Sequence, residues 1–288
     1  MRKLSDSFMN ELQTGFLKGL TEAVKADRDL DLHIRDNYLN IYFKGNSLLK
    51  LSEVKAHQQY KVEIHPKFLT GLAIQNLTDE ATTIRFLEKI PALKANIIKY
   101  GQTSLETEYE QLIIRANNNE PRNTSEYFIV DRQYIVDQDR DGFRFDLMGF
   151  FWSGRYRRKG QVVAPCLMEV KFALNTDISK VHEQISRYYQ LIQANVETVV
   201  EGLENVFYQR LALGLYHQAE SRLEAMKTLT FSRELDKFQF IVVLVDYNPF
   251  SSKLDLTRLG NLPFSNQVKV FATGFAMWEQ NLTLPNSL

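Results

Sequence analysis

The chain has 288 residues, 44% of them hydrophobic and 24% charged, which excludes a disordered tail and leaves enough apolar material for one large domain or two smaller ones. Thirty-five Lys and Arg balance 35 Asp and Glu, so no global field draws the protein to nucleic acid or to an anionic membrane, and any such contact has to be a local basic patch. The single cysteine, Cys166, excludes an intrachain disulfide and a cysteine-rich zinc site; placed just before a strongly apolar run, it reads as a buried, inert thiol. No apolar stretch approaches the ~20 residues that span a bilayer, and "MRKLSDSFMNELQTGF" has the pattern of an amphipathic helix instead of a signal peptide, so a cytoplasmic location without membrane contact is expected.

In chain order, Leu4, Phe8, Met9, Leu12, Phe16, Leu17 and Leu20 recur at helical spacing and predict a first helix over roughly 3–25. The period then changes. "DLDLHIRDNYLNIYFKGNSLLKL" alternates apolar and polar residues, with turn signals at Asp36-Asn37 and Lys44-Gly45-Asn46; with "YKVEIHPKF" it predicts a small antiparallel meander that ends near Pro66. From about 78, Ile84, Phe86, Leu87, Ile90, Leu93, Ile97 and Ile98 suit one or two helices, with Pro91 at a kink or break. Another helix, capped by Thr103 or Ser104, runs to about Asn118, and the polar "NNNEPRNTS" after it is a loop.

Three strand-like runs follow, "SEYFIVDRQYIV", "FRFDLMGFFW" and "APCLMEVKFAL", then a helix over roughly 178–195 and a longer helical region to about 228. "FQFIVVLVD" is almost continuously apolar, the mark of a strand buried on both faces, and "VKVFATGFAMW" supplies a last strand. The order predicts an α/β fold with a mixed sheet, divided into an accessory N-terminal helix and meander over 1–75 and a main domain over 76–288.

The chemistry concentrates in "LMEVKFA". Side chains alternate along a strand, so Glu169 and Lys171 share one face while Met168, Val170 and Phe172 share the other. Charges within apolar sequence cost several kcal/mol unless paired or liganded, although an edge strand in water would also accept them. One strand earlier, "RFDLMGFF" carries Asp146, which a hairpin brings within reach of Glu169. Two converging carboxylates meet the demand of magnesium for hard oxygen ligands, and a neighbouring lysine can orient or activate the attacking water and stabilise transition-state charge.

Asp146 followed by Glu169-Val170-Lys171 on a short apolar strand resembles the PD-(D/E)XK nuclease superfamily, although Phe145 stands where the name has proline. The helix–strand–strand–strand–helix–strand order from about 103 to 275 is similar to that family too. "HEQISRYYQLI" carries Gln184 and Tyr188 in the Q-x-x-x-Y spacing of RecB-like members. The resemblance implies a restriction-endonuclease-like αβββαβ core and a Mg2+-dependent nuclease, with Mn2+ able to substitute. It implies DNA as substrate and RNA as the alternative. Asp146, Glu169 and the Val170 carbonyl would hold the metal, with Lys171, Gln184 and Tyr188 beside it. Such families often add an acid from the preceding helix; Glu106, Glu108 and Glu110 are candidates. Leu105, Tyr109, Leu112, Ile113 and Ala116 define the expected buried stripe, so Glu106 is favoured and Glu110 expected to point away. A solvated acidic first turn is the alternative for each.

"GRYRRKG" places Arg155, Arg157, Arg158 and Lys159 between the two acid-bearing strands, where they would track a phosphate backbone beside the metal. "DQDRDG" imitates half a calcium loop but lacks the closing glutamate, and Asp141-Gly142 reads better as a hairpin turn. The five histidines, His33, His57, His65, His182 and His217, show no metal-ligand spacing. A catalytically silent binding module on the same fold is the competing functional class. The N-terminal region has three roles open to it: selecting a target, forming a homodimer contact, or covering the sheet.

Overall fold

The computed structural model describes residues 2–54, 59–101, 105–118, 125–135, 144–154, 157, 159–172 and 176–275. Where the apolar spacing predicts one N-terminal helix there are two, α1 (Asp6–Gln13) and α2 (Lys18–Ala26). Side chains end α1 by competing for its main-chain groups: the Thr14 hydroxyl donates to the Asn10 carbonyl at 3.1 Å, and the Glu11 carboxylate accepts from the Phe16 N–H at 3.0 Å. Leu12, Leu17 and Leu20 are buried on either side of the break, so the apolar period survives it.

The meander forms as an antiparallel sheet of β1 (Leu30–Ile34), β2 (Tyr38–Phe43), β3 (Asn46–Val54) and β4 (Gln59–Glu63) in that order. Lys44 and Gly45 take φ of 47° and 73°, the left-handed pair that a two-residue hairpin needs. α3 (Glu80–Leu87) opens on a capping box of Asp79 and Thr82, and α4 (Ile90–Tyr100) restarts with Pro91 in its first turn.

Then come α5 (Leu105–Asn118), β5 (Tyr127–Ile135), β6 (Arg144–Phe151), β7 (Val162–Phe172), α6 (Val181–Ala212), α7 (Glu220–Met226), β8 (Thr230–Phe231), β9 (Gln239–Val245), α8 (Leu256–Gly260) and β10 (Val268–Thr273). The main sheet runs β10-β9-β7-β6-β5, with β8 paired beside β7. β5, β6 and β7 are antiparallel, whereas β9 runs parallel to β7 and β10 parallel to β9, so the expected mixed α/β sheet is present. α6 kinks at Asn195 (φ −138°), where the sequence reading changes helices.

β9 feeds two cores. Phe240, Val242 and Leu244 join the larger one, with Ile185, Tyr188 and Ile192 of α6, while Ile241, Val243 and Val245 join Ile114 of α5 on the other face. The larger core has members from Leu4, just before α1, to Phe264, so the meander and the main sheet share it. Cys166 is buried as expected, and burial pushes its thiol up, away from reactivity. Among the described residues no helix is long and apolar enough to cross a membrane. The Thr103/Ser104 cap, the 137–142 turn, His57 and the end of the last expected strand lie outside the described residues.

The meander also touches α5. The Gly45 N–H donates to Gln111 Oε1 at 2.8 Å, and a Cβ on Gly45 would stand 2.7 Å from Thr107 Oγ1 and 2.8 Å from the Thr107 carbonyl carbon. Gly45→Ala is expected to lose about 1–2 kcal/mol from the left-handed backbone alone, and more as α5 is pushed back. A urea midpoint equal to wild type would contradict this close packing.

Candidate metal and catalytic site

β6 and β7 pair with Leu147 opposite Met168, so the next step along the ladder sets Asp146 beside Glu169. The Val170 N–H donates to Asp146 Oδ2 at 2.9 Å, and Lys171 Nζ lies 2.7 Å from Glu169 Oε1. Asp146, Glu169 and Lys171 are only 7%, 3% and 5% exposed. From α6, the Tyr188 hydroxyl donates to Glu169 Oε2 and lies 3.2 Å from the Arg144 carbonyl oxygen. Gln184 sits one turn earlier; its Oε1 is buried without a hydrogen-bond partner, leaving an acceptor unused.

The electrostatics follow from this crowding. Burial, then the neighbouring Glu169 and Glu110, raise the Asp146 carboxyl well above the ordinary range, against the opposing hydrogen bond from Val170. Burial pulls the Lys171 ammonium down, but Glu169, Asp146 and Glu106 more than offset it, and the net shift is upward. These neighbours favour Lys171 as a cation and hydrogen-bond donor. Burial and Glu169 push the Tyr188 phenol up, so it too remains a donor.

The favoured helix acid, Glu106, lies near Asp146, but α5 brings in a second acid that the sequence reading turned away. Glu110, expected to point away, is buried at 1% exposure, while Leu105 and Leu112 of the expected apolar stripe are 57% and 40% exposed and Ala116 is exposed as well. The face that α5 turns inward is Glu110, Ile114 and Asn118 at four-residue spacing, with Tyr109 and Ile113 packed at its edge. Its polar members are buried because β5 supplies partners. Glu110 accepts from Arg132 at 2.8 Å and from Gln133 at 2.7 Å, and Asn118 Oδ1 accepts from the Ile129 N–H at 2.8 Å. A register shift between Ile129 and Asp131 and a φ of 52° at Gln133 let the consecutive Arg132 and Gln133 both reach α5. The available signal was Asp131-Arg132-Gln133 itself, three successive polar residues in an otherwise apolar strand. Glu108 turns aside to Lys44, 3.5 Å away.

Carboxylate oxygens of Glu106, Glu110 and Asp146 lie within 4.8 Å of one another. Magnesium–oxygen bonds of about 2.1 Å put ligand oxygens at most about 4.2 Å apart, so small side-chain movements close this trio on one hard cation. Both Glu110 oxygens keep a second acceptor site beside their bonds to Arg132 and Gln133, since a carboxylate offers about four in all. Of the expected ligands, Asp146 belongs to this trio; Glu169 is not one of its three members, and its two oxygens meet Lys171 and the Tyr188 hydroxyl, while the Val170 N–H donates to Asp146.

Of the basic segment, Arg157 and Lys159 are described, and they follow the end of β6 remote from Asp146. The connection leaves β6 after Phe151, five residues from Asp146, or roughly 17 Å at ~3.3 Å per residue, because a hairpin joins its strands at one end while the acids occupy the other. Arg157 is bonded to the Trp152 and Ser125 carbonyls, Lys159 is exposed, and Arg155 and Arg158 lie outside the described residues. No family profile, curated protein or solved structure matches the chain.

Proposed function

We propose that the protein is a divalent-metal-dependent nuclease of the PD-(D/E)XK type, with a restriction-endonuclease-like core of α5, β5, β6, β7, α6 and β9. The observation that carries this reading is the single Asp146 carboxylate shared by two groups: the acid trio with Glu106 and Glu110 on one side, and the Glu169–Lys171 pair, 2.7 Å apart, on the other. Carboxylates gathered at one end of a sheet, beside a lysine kept cationic, suit the hydrolysis of an anionic phosphodiester. DNA is the substrate proposed, with RNA as the alternative, and Mg2+ the metal, with Mn2+ able to replace it.

Glu106, Glu110 and Asp146 would hold the metal, which when bound polarises a phosphate oxygen and makes water acidic enough to attack. Glu169, fixed by the Tyr188 hydroxyl, aims the Lys171 ammonium, which donates to the oxygens on which charge builds. Gln184 offers its unused acceptor to the attacking water or to a nucleotide donor.

Asp146 must lose its proton to bind a cation, so Mn2+ affinity is expected to rise with pH until the raised Asp146 value is passed, with proton release on binding. Calorimetry in two buffers of different ionisation enthalpy measures both, alongside cleavage of single- and double-stranded DNA and RNA with and without EDTA. Cleavage that survives EDTA, or Mn2+ binding indifferent to Asp146→Ala, would sink the reading.

A further inference from the structure

We infer that Arg35 and Tyr42, both from the N-terminal meander, are positioning residues for the metal ligand Glu110. The inference rests on the metal site proposed above and extends it to a region that carries no acid of the trio.

Arg35 follows β1 and is buried. Its NH1 donates to Asp131 Oδ1 at 2.6 Å and to the Ile34 carbonyl at 3.0 Å, and its NH2 donates to the Arg132 carbonyl at 2.9 Å. One guanidinium thus holds a side chain and a main-chain oxygen of the irregular stretch of β5. Tyr42 acts on the same residue from the other side, with its ring 4.6 Å from the Arg132 guanidinium carbon. The Arg132 NH2 then has two acceptors, Glu110 at 2.8 Å and the Thr107 carbonyl at 3.3 Å, both on α5. Arg132 Nε and NH1 have no hydrogen-bond partner, so the ring and that one nitrogen orient the group.

The strand irregularity explains why support from outside is needed. Regular β5 pairing would turn Arg132 and Gln133 to opposite faces; a left-handed Gln133 sends both to Glu110. A non-glycine residue in that conformation is strained and persists where neighbours hold it. Arg35 supplies a hydrogen bond to the carbonyl just before Gln133, and Arg2 adds a longer one of 3.4 Å to the Gln133 carbonyl. The meander is thereby part of the active site's support, two contacts removed from the ligand Glu110.

The experiment is a Mn2+ titration of the full chain by electron paramagnetic resonance, with thermal unfolding of each variant. Glu110→Gln reports the metal site itself and is expected to bind Mn2+ more weakly than wild type. Arg35→Lys keeps the positive charge beside Asp131 but cannot span both acceptors, so it should stay folded and bind Mn2+ about 10- to 100-fold more weakly, the usual effect of losing an outer support of a ligand. Restoration of wild-type affinity by lysine would mean that Arg35 only neutralises Asp131, and would overturn the inference. Should Arg35→Lys fail to fold, Tyr42→Leu decides in its place, since it removes the ring and no charge; weakened binding supports positioning and unchanged binding refutes it. If Glu110→Gln binds like wild type, the metal reading has failed and the inference falls with it.

Discussion

Lys171→Met should lower cleavage by roughly 10²- to 10³-fold while leaving Mn2+ affinity close to wild type. Methionine keeps the unbranched stem, one atom shorter, and removes the cation. Lys171 offers hydrogen-bond donors and no lone pair, so it cannot ligate a metal, and its upward pKa shift keeps it protonated through the neutral range. On the proposed reading its loss acts on the charge that develops at phosphate, where one preorganised donor is worth about 2.7–4 kcal/mol, or roughly 10²- to 10³-fold in turnover. Glu169 also loses its ion-pair partner and retains the Tyr188 hydroxyl, so the variant should melt at lower temperature, and turnover must be compared where both proteins are folded. Undiminished cleavage would remove Lys171 from the chemistry. Mn2+ binding lost in parallel with cleavage would mean that the lysine organises the acids instead.

Asp131→Asn should be the most damaging isosteric change among the buried charges. Asp131 is 1% exposed and is paired with Arg2 Nε at 2.6 Å and Arg35 NH1 at 2.6 Å, with His33 Nδ1 3.1 Å away. Burial opposes its ionisation, yet Arg2, Arg35 and His33 together hold the carboxyl well below the usual range. The amide leaves two buried guanidinium groups without their shared anion, and breaking a buried pair in this way costs about 3–5 kcal/mol. A group with a depressed folded pKa contributes stability above its unfolded value, near 3.9 for aspartate, and loses it as pH falls toward the folded value. The gap between wild type and variant should thus be constant above about pH 4 and narrow below it by at most about 1.4 kcal/mol per pH unit. Urea unfolding across that range measures it; a gap that widens in acid would reverse the assignment.

Much of the fold was legible because burial in a sheet follows period two and burial on a helix follows period 3.6. β9 announces itself as a strand covered on both faces, the meander turns fall at Asn37 and Lys44-Gly45, and the change of helix at Asn195 is a real kink. The same alternation put Glu169 and Lys171 on one face; helical spacing put Tyr188 on one face with Gln184, and its place against Glu169 was what the Q-x-x-x-Y resemblance implied.

What only the tertiary structure decided is which polar residues are buried. A periodicity argument takes apolar residues as the inner face, so it chose Leu105 and Leu112 of α5 over Glu110 and Asn118. Glu110 can be inside because Arg132, 22 residues away, neutralises it, and Arg132 is held because Arg35, 97 residues earlier, binds its carbonyl. A carboxylate without such partners would be driven to the surface by its desolvation cost. The end of the sheet at which each strand connection emerges is likewise set by pairing register: it sends Arg157 and Lys159 away from the acids between which they lie in sequence, and brings the meander of residues 30–63 against the helix that carries Glu110.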